Sequence, residues 1–202
     1  MKKVVLASRS PRRIELFKKY GIYAESIPAD VDESIPSEIT APDEIVKYLA
    51  RKKAEYVRNT EENDTVVVAA DTLVFCEGEI LGKPSDRADA NRMMKMLSGN
   101  THSVISGICV ICGDRAICEA VKTDVCFREL TEEEILGYTL TSEPYDKAGG
   151  YGIQSIAGAF VKEIHGDYYN VVGLPVSRLT EILKTHFGYD ALANIFGSKG
   201  EN

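Results

Sequence analysis

No apolar stretch in this chain of 202 residues reaches the roughly 20 residues that cross a bilayer. The opening segment MKKVVLASRSPRR has only a short apolar run before Ser8, too short for the core of a signal peptide. A soluble, cytoplasmic protein with no membrane partner is expected. Also missing are the G-x-x-x-x-G-K-[ST] sequence and a G-x-G-x-x-G following a strand, which removes P-loop and Rossmann dinucleotide sites. Histidine is scarce: His102, His165 and His186 show no paired ligand spacing, so a zinc site of the H-E-x-x-H kind is excluded. His186, near a helix C-terminus, suits the dipole there. Any metal is then a hard cation, Mg2+ or Mn2+, held by carboxylate oxygens, water and a substrate phosphate.

The five cysteines, Cys76, Cys109, Cys112, Cys118 and Cys126, are odd in number and mostly lie in apolar, β-branched surroundings. They read as structural thiols acting as small hydrophobes. Cys109-x-x-Cys112 lacks the second pair that a tetrahedral metal site needs. Positive charge is in deficit: 24 basic against 31 acidic residues give a net charge of -7. That argues against a protein whose task is to coat nucleic acid, although local basic clusters can still take a small anion. What is present is ample apolar material, 44% of the chain, with no internal repeat or low-complexity tract.

KKVVLAS reads as a buried strand, and Ser10-Pro11 then opens a helix that stops at Gly21. A second helix is predicted from about Pro42 to Arg58, with Lys53 interrupting the apolar stripe of Val46, Leu49, Ala50 and Val57. TVVVAADTLVF is a nearly continuous apolar strand, folded back at Glu77-Gly78 into EILGKP. A helix from Ser85 to about Leu97 follows, then two strands joined at Gly113-Asp114. Thr131 with Glu134 predicts a capping box for a short helix. The glycine-rich run EPYDKAGGYGIQSIAGAF leads into the strand FVKEI, and Pro175 opens a last amphipathic helix. The pattern predicts an α/β fold with a mixed sheet flanked by helices.

Several residues stand out chemically. Ser8, Ser10, Arg12 and Arg13 lie where a strand meets a helix N-terminus, a natural anion site, though solvated arginines fit the segment equally. Asp71 ends a strand buried on both faces, so its carboxylate should be partly desolvated at the edge where α/β folds bind ligands. It could also cap a turn through Thr72. Lys83 and Lys147 sit in glycine-containing loops. With Arg12, Arg13 and Lys53 they make five cations on separate elements of an acidic protein, which suggests convergence on a polyanion. Glu33 is a candidate second carboxylate for a metal beside Asp71, or simply a solvated loop acid.

The blocks LASRSPRRIELF, AADTLV with ILGKP, LSGNTHSVISG, SEPYDKAGGYGIQ and IHGDYYNVVGLP, in this order from about Lys3 to Leu183, resemble the signature blocks of the Maf family. The resemblance implies a fold related to the inosine triphosphate pyrophosphatases, with two lobes flanking a substrate cleft. One domain of two lobes is expected over 1–188, and the segment itself reads as a loosely ordered tail over 189–202. It also implies hydrolysis of a nucleoside triphosphate to monophosphate and pyrophosphate. In the dTTP/UTP subfamily the proton acceptor matches Asp71 and the specificity positions match Arg12, Thr72 and Gln154. The related 7-methyl-GTP subfamily tends to differ in the S-P-x-R and E-P-x-D-K-A-G blocks, which this chain keeps. Gly150 and Ser155 depart from the expected pattern without touching a charge. The implied division of labour is phosphate binding by Ser8, Arg13, Lys53, Lys83 and Lys147, with Asp71 and Glu33 at a divalent metal. A homodimer follows from the resemblance alone. The alternatives are a pyrophosphatase for 7-methyl-GTP or other modified nucleotides, and a nucleotide-binding regulator of septum formation.

Overall fold

The computed structural model describes residues 2–197. In chain order the elements are β1 (Val4–Leu6), α1 (Pro11–Lys19), β2 (Ala24–Ser26), α2 (Pro42–Arg58), β3 (Val66–Cys76) and β4 (Glu79–Leu81). Then come α3 (Arg87–Leu97), β5 (Thr101–Cys112), β6 (Arg115–Phe127), α4 (Glu132–Thr139), β7 (Val161–His165), α5 (Tyr168–Val172), α6 (Val176–Phe187) and α7 (Ala191–Gly197). Seven strands make one mixed sheet in the order β2-β1-β3-β5-β6-β7, with β4 paired to β3. β1 runs parallel to both β2 and β3, while β3 and β4, and β6 and β7, are antiparallel.

The chain divides into two compact units. The first holds Met1–Asp71, Ser106–Val121 and Gly173–Asn202, the second Thr72–Ile105 and Lys122–Val172. In the first, Val66 to Ala70 of β3 are fully buried, as a strand covered on both faces must be. Helix α2 buries Ile45, Val46, Leu49, Ala50, Ala54 and Val57. Its small residues Ala50 and Ala54 join Val5, Ala7, Val67, Ala69 and Cys109 in one core cluster. The close approach has a specific requirement at Gly107 of β5, where a Cβ would stand 2.3 Å from the Val46 carbonyl oxygen. Helix α6 is tied to β6 by a two-pronged ion pair between Arg178 and Glu119, at 2.6 and 2.7 Å.

The second unit is built around aromatic side chains. Phe127, Tyr138, Tyr151 and Phe160 pack with Met93, Met94, Leu97 and Val125. The predicted capping box at Thr131 and Glu134 is present on α4. The glycine-rich run forms three short 3-10 turns, Glu143–Asp146, Ala148–Gly150 and Ile156–Phe160, before β7.

Three expectations need correction. Thiols were expected throughout, but Cys109 is joined to Cys118 by a disulfide, whereas Cys76, Cys112 and Cys126 are free. The cause is strand pairing: the β5–β6 hairpin brings their Cα atoms to 4.1 Å, a relation that sequence spacing does not display. The segment after Gly188 was expected to be loose, yet 191–197 is helical. Buried Tyr189 takes a hydrogen bond from the Tyr23 amide, and Asn194 donates to the Gly21 carbonyl. Residues 198–202 of that expected tail lie outside the described ones. Finally, Ser10 is by residue type suited to cap α1 with its side chain, and it stands at the N-cap position, but its side chain makes no capping hydrogen bond.

Replacing Gly107 with alanine is expected to lower stability by about 2 kcal/mol or more, because the obstructing atoms are backbone and cannot swing aside. Denaturant unfolding of the variant checks this.

Candidate active site

Asp71 does not end its strand as expected but stands midway along β3, directly after the fully buried run Val66–Ala70, and its carboxylate meets Lys53 of α2, with Nζ 2.6 Å from Oδ1. The same Nζ lies 2.6 Å from Glu33 Oε1, on the segment between β2 and α2. One ammonium therefore holds both carboxylates. The side chains of Lys53 and Asp71 are only 14% and 16% exposed, so little water screens their attraction. Lys53 interrupts the apolar stripe of its helix because it points at this pair.

Arg13, in the first turn of α1, donates from Nε to the Gly173 carbonyl at 2.8 Å and from Nη1 to the Ala70 carbonyl at 2.7 Å. A longer bond from Nη1 reaches Ser8 Oγ at 3.4 Å. Burial pulls the pKa of this guanidinium below the ordinary arginine value, with the charge of Asp71 acting in the other direction. The cation that opposes the α1 dipole is thus satisfied by protein carbonyls and a carboxylate's field. Ser8 is itself buried, and its Oγ accepts from the Ser10 amide at 3.2 Å. Arg12 lies beside it, partly buried.

The other cations belong to the second unit. The Gly149 amide donates to the Gly82 carbonyl at 2.9 Å, and Gly150 packs on Pro84, so the loops carrying Lys83 and Lys147 are stitched together. Gly149 has φ of 69°, and a Cβ there would collide with Val74, so this crossing accepts only glycine. Lys83 is exposed. Lys147 Nζ donates to the Glu143 carbonyl at 2.7 Å and to the Asp146 carboxylate, which offsets its charge locally. Gln154 is exposed in the turn that follows, and Thr72 is half-buried directly after Asp71.

Residues 3–186 match the family described as Maf-like protein. The chain belongs to the Maf family. A dTTP/UTP pyrophosphatase of Caldicellulosiruptor bescii is 49% identical over 197 residues, covering 95% of this chain and 98% of the relative. Proteins of the same name from Bacillus anthracis and Bacillus cereus are 48% identical over 184 residues, covering 91% of this chain and 95% of each relative. Among solved structures, a HAM1 protein from Coxiella burnetii is aligned over 100% of both chains at 13% identity and a TM-score of 0.43, too loose to bear on the fold.

Within this Maf chain, Ser8, Arg12, Arg13, Glu33, Lys53 and Asp71 fall in the first unit, and Thr72, Lys83, Lys147 and Gln154 in the second. Sequence reasoning missed the carbonyls of Ala70 and Gly173 as the partners of Arg13, because backbone acceptors leave no residue signature. It weighed His102 only as a metal ligand and did not foresee its contact with Tyr151.

Two carboxylates drawn to one cation are donors of the kind a hard divalent ion takes, with phosphate and water completing its shell. Among the described residues no group of three or more His, Cys, Asp and Glu side chains gathers, so such an ion would depend on substrate oxygens.

Arg13→Lys keeps the charge but cannot reach both carbonyls in the guanidinium's geometry. Loss of about 1–3 kcal/mol of stability is expected, as for breaking charged hydrogen bonds at a buried site, and thermal or denaturant unfolding reads it.

Proposed function

We propose that this chain is a nucleoside triphosphate pyrophosphatase that hydrolyses dTTP and UTP to the monophosphate and pyrophosphate. The observation that carries this reading is the shared Lys53, which holds Asp71, midway along β3, together with Glu33. The names of relatives nearly half identical over more than nine-tenths of the chain agree with it.

A triphosphate brings a higher charge density than either carboxylate and competes for Lys53. As the ammonium turns to phosphate oxygens, Asp71 Oδ1 loses its donor and becomes able to accept a proton from water. The water oxygen then bonds to phosphorus, the α–β anhydride bond breaks, and pyrophosphate leaves with the bridging oxygen. Arg12, Arg13, Lys83 and Lys147 are assigned to the phosphates with Lys53. Arg13 acts through its fixed positive field and Ser8 through its hydroxyl. Asp71 and Glu33 are the residues that would hold a divalent ion, Mg2+ or Mn2+, which would supply charge neutralisation to the phosphates.

Thr72 and Gln154 are assigned to the base. A glutamine amide offers a donor and an acceptor side by side, the complement of the O4 and N3–H edge of uracil or thymine. No described helix is long and apolar enough to cross a membrane. We assign the enzyme to the cytoplasm with its nucleotide substrates.

Asp71→Asn should retain nucleotide binding and lose at least a hundredfold in pyrophosphate release, the lower range for removing a general base. Full turnover by a folded Asn variant would sink the assignment.

A further inference from the structure

His102 on β5 is only 1% exposed, and nothing in the proposed chemistry uses it. Its Nε2 lies 2.7 Å from the hydroxyl of Tyr151, and its Nδ1 is buried with no partner among the described residues. Burial lowers its pKa to about 4, so the imidazole is neutral at ordinary pH. A neutral imidazole has one N–H. Nε2 and the Tyr151 hydroxyl therefore share one hydrogen bond, and the tautomer sets which of them donates.

Tyr151 is gripped on its ring as well. Edge contacts set its centroid 5.2 Å from the His102 ring and 4.8 Å from the Phe127 ring. Its backbone leads directly into a closed turn. The Ser155 amide and Ser155 Oγ both donate to the Gly152 carbonyl, at 3.1 and 2.8 Å. Gln154 is the third residue of this turn and stands exposed at its tip. On the other side, the Gly150 amide donates to the Lys147 carbonyl, and the Lys147 side chain passes so near Gly152 that a Cβ there would lie 2.9 Å from its Cδ and Cε. Tyr151 is the buried side chain of the segment from Lys147 to Ser155, which is held before it by the Gly149 amide on the Gly82 carbonyl and the Tyr138 hydroxyl on the Gly150 carbonyl.

We infer that His102 and Tyr151 form a positioning pair that fixes the Gly152–Ser155 turn and thereby sets nucleobase discrimination through Gln154. This rests on the assignment of Gln154 to the base. A polar reader discriminates only while its donor and acceptor are held in register with the base edge, since a turn free to shift can offer either group to cytosine. His102 and Tyr151 touch no substrate in this scheme.

The test compares kcat/KM for UTP and CTP in the wild type, Tyr151→Phe, His102→Gln and the double variant. Inhibition by inorganic pyrophosphate reports on the phosphate groups alone. Tyr151→Phe keeps the ring and removes the hydroxyl, so it should fold. Its UTP-to-CTP ratio is expected to fall by roughly three- to tenfold, the weight of one net hydrogen bond, with pyrophosphate inhibition unchanged within about twofold. The double variant should lose no more than the worse single, because both break the same bond. A folded Tyr151→Phe with the wild-type ratio, or losses that add in the double, overturns the inference alone. A wild type that releases pyrophosphate from no nucleotide overturns the pyrophosphatase reading and takes this one with it.

Discussion

The candidate site depends on one ammonium group shared by two carboxylates. Lys53 could not sit on the apolar face of α2 unless its charge were met, and Asp71 could not stand midway along a strand as buried as β3 unless something stabilised its anionic form. Each makes the other tolerable, and Glu33 draws the preceding segment to the same point. Arg13 holds the Ala70 carbonyl of β3, one residue before Asp71. The close packing of α2 on β5, which admits no side chain at Gly107, sets the depth at which Lys53 arrives. A cluster held in this way can exchange partners when a stronger anion comes, because no covalent or apolar contact fixes the ammonium to either acid.

The second unit solves a different problem. Its cations and its exposed glutamine lie on loops with little regular structure, so rigidity has to come from glycine crossings and a buried aromatic anchor. Gly149 against Val74 and the Gly82 carbonyl joins two loops. Tyr151, fixed by His102 and Phe127, roots the next one. Lys147 is held by its own neighbours Glu143 and Asp146, so any anion that engages it must displace an existing ion pair. That arrangement favours highly charged ligands over singly charged ones.

Much of this was legible in the residues themselves. The run VVVAA announced a doubly buried strand, and the acid after it marked where an unsatisfied charge would fall. A lysine breaking the stripe of α2 indicated a buried destination, though only the structure shows that destination to be Asp71 and Glu33. Thr131 with Glu134 specified its cap locally and so was read correctly. What was not legible depended on pairing between distant segments. The Cys109–Cys118 bond follows from hairpin register, α7 from the docking of Tyr189 and Asn194 on Gly21, and the Arg13 clamp from backbone carbonyls that any residue carries. The helix over 168–172 has too few residues to show a period.

The central claim is that the cluster around Lys53 serves nucleotide pyrophosphate release. The most direct measurement is pyrophosphate production by the purified chain across the common and modified nucleoside triphosphates, with Mg2+ and with Mn2+. The account predicts that dTTP and UTP are turned over with the highest kcat/KM, each yielding one pyrophosphate per monophosphate. Release of inorganic phosphate in place of pyrophosphate, or binding of dTTP and UTP with no turnover under either metal, would contradict it.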